Sequence, residues 1–89
     1  MFDKRTTYTI IDETGDKSTI TLDKTVADVL QLHLPDVHAW VQHVYDCAAK
    51  QYPGLSRYKR GDLVRDYALK EANKHPEYDQ AVREFLGDL

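Results

Sequence analysis

Thr25-Val26-Ala27-Asp28-Val29-Leu30-Gln31-Leu32-His33-Leu34 is the stretch on which the fold turns. Two patterns are superimposed on it. Thr25, followed three residues later by Asp28, has the form of a capping box, and Val26, Val29, Leu30 and His33 then share one helical face. Leu30 to Leu34, taken alone, alternates apolar and polar as a half-buried strand does. Leucine and alanine favour helix, and no β-branched residue follows Val29. The helical reading is preferred for 25–34, with a strand at 30–34 as the alternative.

Upstream, residues 6–23 read as a β-hairpin. Thr7 to Ile11 is rich in β-branched and aromatic residues, and Ser18 to Leu22 alternates with period two. Asp12 to Lys17 supplies the turn, with Gly15 free to take positive φ. Pairing Ile10 with Ile20 sets Tyr8 opposite Leu22 and Asp12 opposite Ser18. The large apolar side chains then share one face, and Thr7, Thr9, Thr19 and Thr21 share the other.

Downstream, Pro35 separates the stretch from a helix over 36–52. Val37, Trp40, Val41, Val44, Tyr45 and Ala48 make its apolar stripe, with Trp40 expected as the largest core contributor. Pro53-Gly54 ends it. A basic-faced helix over 56–74 follows, with Leu63, Val64, Tyr67, Ala68 and Ala72 on one side. It begins either at Ser56 or, because Gly61 weakens a helix interior, at Gly61-Asp62. A last helix over 76–86 opens on Pro76 and turns Tyr78, Ala81, Val82 and Phe85 inward. The expected architecture is α+β: one domain over 1–89, an N-terminal β-hairpin followed by three or four α-helices.

Eighty-nine residues with 42% hydrophobic and 30% charged content make an ordinary globular chain with a small core. Sharing apolar surface with a second copy would enlarge that core, so a homodimer is expected. With a single cysteine, Cys47, no intramolecular disulfide can form. No apolar run reaches the length of a membrane span, and no signal peptide is read at the start, so a cytoplasmic, membrane-free protein is expected.

The net charge is −3, but it is unevenly spread. Residues 1–49 hold four basic and eight acidic residues, 50–74 seven basic and three acidic, and 75–89 one basic and four acidic. Arg57, Lys59, Arg60 and Arg65 therefore form a basic segment at a helix start, which itself attracts phosphate. Tyr52 and Tyr58 are interleaved with these charges. The plainer reading is a solvated helix face with tyrosines covering a core edge.

Other chemistry has little support. His43 and Cys47, four residues apart, share a helical face, but His38 lies about 140° around the helix from His43, which leaves two metal ligands and no paired motif. Cys47 then reads as a small buried apolar residue, with the histidines bordering the core. No orienting third group, oxyanion loop or phosphate-binding loop accompanies the His43–Cys47 pair. The sequence predicts no enzyme, no cofactor, no metal and no small-molecule substrate.

Gly54-Leu55-Ser56-Arg57, followed by Gly61-Asp62-Leu63-Val64-Arg65-Asp66-Tyr67-Ala68-Leu69, resembles the second helix of ribbon–helix–helix DNA-binding proteins. Leu32-His33-Leu34-Pro35-Asp36 and the 37–51 helix resemble that family's strand and first helix. The resemblance covers about half the chain. Tyr58-Lys59-Arg60 and the N-terminal hairpin are additional to the family pattern, and the basic residues common in its ribbon are missing. The resemblance implies an intertwined dimer, with Gln31 and His33 facing the DNA groove from a strand and Ser56 with Arg57 clamping a phosphate. Were the ribbon instead Thr19 to Leu22, Thr19 and Thr21 would face outward. The expected function is a small dimeric DNA-binding regulator that uses Ser56, Arg57, Lys59, Arg60, Arg65, Gln31 and His33. The alternative is a protein-interaction module or small inhibitor without nucleic-acid contact.

Overall fold

A computed structural model describes residues 4–87, the Phe85 side chain excepted. Strands β1 (Arg5–Ile11) and β2 (Lys17–Asp23) form an antiparallel hairpin. Four helices follow: α1 (Lys24–His33), α2 (Val37–Gln51), α3 (Arg57–Asn73) and α4 (Pro76–Leu86). The α+β arrangement expected from the sequence is the one observed. No helix among the described residues is long and apolar enough to cross a membrane.

The hairpin register differs from expectation by two residues. Tyr8 faces Ile20 and Ile10 faces Ser18, where Ile10 opposite Ile20 was expected. The cause is Asp12, which belongs to the turn and not to the strand. Its Oδ1 accepts from the backbone N–H of Thr14 at 2.9 Å and of Asp16 at 3.0 Å, and from the Thr14 hydroxyl at 2.6 Å. These bonds reinforce the backbone turn, in which Gly15 N donates to Asp12 O at 3.0 Å, and move the loop back by one residue. Gly15 takes φ +89°, which favours glycine. A two-residue shift preserves the faces, so Ile10, Ile20 and Leu22 still point inward while Thr7, Thr9 and Thr19 stay exposed.

Both outer edges of this two-stranded sheet are covered by side chains. On the β1 edge, Gln42 Nε2 donates to Ile11 O at 2.9 Å and Gln42 Oε1 accepts from Ile11 N at 2.8 Å, as a neighbouring strand would. His38 Nε2 donates to Thr9 O. Along the β2 edge, Arg65 Nε donates to Thr21 O at 3.0 Å. Unpaired strand edges invite further strand pairing, and these three side chains blunt that tendency.

The deciding stretch is helical. Its cap is Asp23, whose side chain accepts from Thr25 N at 2.9 Å, and the helix starts at Lys24. The expected Thr25–Asp28 capping box is not formed; Asp28 instead pairs with Lys24 at 2.6 Å. Because Asp23 ends β2 and caps α1 at once, the chain passes from strand to helix without a linker. Leu30, fully buried, sits at the centre of the core; burial of such a side chain contributes about 1.5–3 kcal/mol.

Helix α3 packs against α1, α2, α4 and β2. Val64, Ala68 and Ala72 form its buried seam, and their small size lets neighbouring elements approach closely. Tyr67, expected in that seam, is 47% exposed. Ser56 caps the helix by accepting from Lys59 N at 3.2 Å, so of the two possible starts the earlier one is used and Gly61 is carried inside the helix. Two further expectations are corrected. Tyr45, and not Trp40, is the largest fully buried side chain, Trp40 packing at the core's margin. Cys47 is exposed and not buried.

Candidate functional site

The basic segment 57–65 was expected to face a ligand. Much of it faces the hairpin turn. Arg57 NH1 donates to Asp12 Oδ2 at 2.9 Å. Arg60 reaches further in: NH1 pairs with the Glu13 carboxylate and NH2 donates to Pro53 O at 2.9 Å. The Tyr45 hydroxyl donates to Glu13 Oε2 at 3.2 Å from the α2 side. Arg60 is only 5% exposed, and a guanidinium so placed must be paired to be tolerated. Its Nε is buried without a hydrogen-bond partner, the other two nitrogens carrying the contacts.

The electrostatics of this latch follow from its partners. The Thr14 hydroxyl, the turn N–H groups and Arg57 hold the Asp12 carboxyl below the ordinary aspartate range. Glu13 is also held low, first by its own backbone N–H and then by Arg60. Burial pushes the Tyr45 phenol up. The arrangement stabilises the charged carboxylates and the neutral phenol, which suits a fixed structural junction.

Each expected site residue can now be placed. Ser56 spends its hydroxyl on the helix cap. Arg60 is enclosed. Arg65 is divided between Thr21 O and Asp62 Oδ1, the latter at 2.9 Å. Arg57, though paired with Asp12, keeps about half of its side chain exposed. Lys59 is exposed and makes no ion pair among the described residues. Gln31 and His33 lie on α1, so the groove-facing strand position implied for them is not formed. Asp23 capping and the helix-favouring Ala27 and Leu30 decide that outcome. Gln31 is exposed, and His33 contacts Glu77 across the molecule.

Among the concavities that flank α3, two border its exposed tyrosines. One, about 200 Å³, lies between the hairpin and the first half of α3 and is lined by Ser18, Thr19, Arg57, Tyr58 and Arg65. The other, about 230 Å³, runs between α2 and α3. His43, Val44, Cys47, Gln51, Tyr52 and Tyr67 line it. Tyr52 and Tyr67 are each 47% exposed, a large apolar area to leave in water. Sequence reading missed this groove because it placed Cys47 and Tyr67 in the core. The signal available was their alignment with His43 and Tyr52 on faces that already had enough apolar residues to fill them.

Comparison with protein-family models, curated proteins and solved structures returned no match.

Proposed function

We propose that this protein is a small protein-interaction module whose α2–α3 groove receives an apolar side chain of a partner protein, flanked in that partner by acidic residues. The observation that carries the reading is the pair of half-exposed tyrosines, Tyr52 and Tyr67, beside Val44 and Cys47 in one groove. Tyrosine supplies a large amphipathic contact area at low entropic cost and is enriched at protein interfaces. The flanking charge follows from helix geometry. Lys50 stands one turn beyond Cys47 and Lys70 one turn beyond Tyr67, and both are exposed. Lys70 also lies over the Tyr67 ring, 5.7 Å from its centroid, and so remains near the groove.

A displayed-peptide selection against the intact protein, counter-selected with a Tyr52→Ala/Tyr67→Ala variant, tests this. Enriched peptides carrying an apolar anchor flanked by Asp or Glu, bound by the wild type at least about tenfold more tightly than by the variant, support it. Peptides that bind both proteins equally sink it.

A second reading, DNA binding, is favoured by one observation. Arg57, Tyr58 and Lys59 are exposed at the start of α3, beside the cleft that Ser18, Thr19 and Arg65 complete. On that reading the exposed threonine face of the hairpin would accompany phosphate contacts from this corner. The internal pairing of Arg60 and Arg65 weighs against it. Fluorescence anisotropy with mixed duplex DNA at low and moderate salt distinguishes the two: the interaction module shows no salt-dependent binding, and the DNA reading requires it.

A further inference from the structure

His33, at the last turn of α1, lies against the corner where α3 passes into α4. Its ring stacks face to face on that of His75, with centroids 3.7 Å apart and planes 7° from parallel. His33 Nε2 donates to Glu77 Oε1 at 3.0 Å. One ligand-type atom from each of His33, His75 and Glu77 lies within 4.8 Å of the other two. These residues are 42 and 44 positions from His33 in sequence, so the fold and not local chain geometry brings them together.

We propose that His33, His75 and Glu77 bind a divalent transition-metal ion, zinc or a close relative. The donor set is two imidazoles and one carboxylate, the combination that zinc takes when it keeps a fourth position for water. One separation, His33 to Glu77, is close to that required. Two ligand atoms at ordinary zinc bond lengths on a tetrahedral ion stand about 3.3 Å apart. The His33–Glu77 pair at 3.0 Å therefore has to open by only a few tenths of an ångström, while the stacked His33 and His75 rings tilt out of parallel so that both in-plane lone pairs meet the ion.

Two surroundings favour this use. Glu71 Oε2 lies 3.6 Å from His75 Nε2, outside the trio, so a second carboxylate adds negative potential beside the cluster. His75 occupies the N-cap position of α4 but makes no side-chain capping bond, so its ring is not committed to the helix start. The three ligands are about 20–40% exposed at the side chain, which leaves an entry path from solvent and room for the water. An ion held here would join α1 to the α3–α4 corner.

The test uses the intact protein, stripped with a chelator and titrated with zinc by calorimetry and with cobalt(II) by absorption. One ion per chain is expected, with the thermal midpoint rising on metal addition. His33→Ala and Glu77→Gln should each weaken binding by about tenfold or more while far-UV circular dichroism stays that of the wild type. Glu77→Gln nearly preserves side-chain shape, so it serves if the histidine variant fails to fold. Cys47→Ser should bind as the wild type does. Absence of one-to-one binding overturns the proposal. So does retention of binding in the Glu77 and His33 variants, or its loss in Cys47→Ser together with a thiolate-to-cobalt absorption band. That last result would assign the ion to Cys47 and His43, whose Sγ and Nε2 lie 3.7 Å apart.

Discussion

Two polar junctions hold distant parts of this chain together, and they are built differently. At the hairpin turn, Asp12 and Glu13 meet Arg57, Arg60 and Tyr45. Two of these charged groups, Asp12 and Arg60, are enclosed, and the contacts are spent on one another. At the α1–α4 corner, His33 and His75 meet Glu77 and Glu71. Here every group is partly exposed. The first junction is closed, its charged groups paired within it and, among its buried side-chain atoms, only the Arg60 Nε left without a partner. The second has ligand atoms facing one another with an opening to solvent. Similar residue classes thus serve as a latch in one place and as a receptive site in the other, and burial makes the difference.

The sharpest way to break the comparison is to remove Arg60. In Arg60→Ala, Glu13 and Pro53 O lose their partner and an enclosed space opens between the turn and α3. This should cause the largest stability loss of any substitution at either junction, read as a fall in the thermal midpoint. Arg60→Lys should recover little, because a single ammonium lacks the fork that spans Glu13 and Pro53 O. A loss no greater than that of an exposed-lysine substitution would show that the latch is ornamental.

Acid comes next. Asp12 and Glu13 have folded-state pKa values below their unfolded ones, so the unfolded chain binds more protons in the carboxylate range. Their contribution is fully present above the unfolded values, about 3.9–4.3, and is lost as pH falls through the folded ones. Glu77 carries the same sign, first through its own backbone N–H and then through His33. Denaturant melts from neutral pH downward should show stability falling below about pH 4 in the wild type. The fall should be shallower in Asp12→Asn/Glu13→Gln, and Glu77→Gln should flatten it less. Equal flattening would erase the distinction between the junctions.

Much of the fold was legible because its signals are local. Periodicity gave the hairpin and three of the helices, residue propensity decided 25–34 where two periods overlap, and Pro53-Gly54 and Pro76 set boundaries through backbone constraint alone. What was not legible depends on pairing at a distance. The turn was legible at Asp12 to Lys17, but nothing there says that the Asp12 side chain will accept from Thr14 and Asp16 and close the loop at Asp16, so the register was placed two residues off. Nothing in Arg60 distinguishes an arginine that reaches Glu13, 47 residues away, from one that faces DNA. Charge content along a segment says how many cations there are, but only the fold says which of them are already neutralised. The α1–α4 corner was missed for the same reason. His75 and Glu77 read as a helix start, and His33 read as part of the apolar face of 25–34.

A milder change sharpens the account of the latch. Tyr45→Phe keeps the buried ring and removes only the hydroxyl that donates to Glu13. It should cost about 0.5–1.5 kcal/mol, the usual net worth of one hydrogen bond. The raised Tyr45 pKa gives the same group an alkaline signature. Its contribution is present below the ordinary tyrosine value of about 10 and is lost as pH rises through the folded value. The phenylalanine variant should lack that alkaline loss. Gly61→Ala, one residue beyond Arg60, should act in the opposite direction. A Cβ there meets only the Arg65 guanidinium, at 3.5 Å and 4.0 Å, so the gain in helix propensity, about 0.5–1 kcal/mol, should appear as added stability.

The smallest expected effect is at the other junction, and it bears most directly on the contrast. In metal-free solution, His33→Gln removes the ring that stacks on His75 and contacts Glu77. The side chain is about 30% exposed and its partner about 41% exposed, so the contact is screened and water can replace it. The stability change should stay within about 0.5 kcal/mol, as for surface substitutions generally. The unfolding midpoint in urea, measured with chelator present, checks this against Arg60→Ala under the same conditions. A destabilisation rivalling that of Arg60→Ala would mean that the α1–α4 corner is itself a structural latch. A near-silent result leaves three ligand-bearing side chains meeting where folding does not require them to meet.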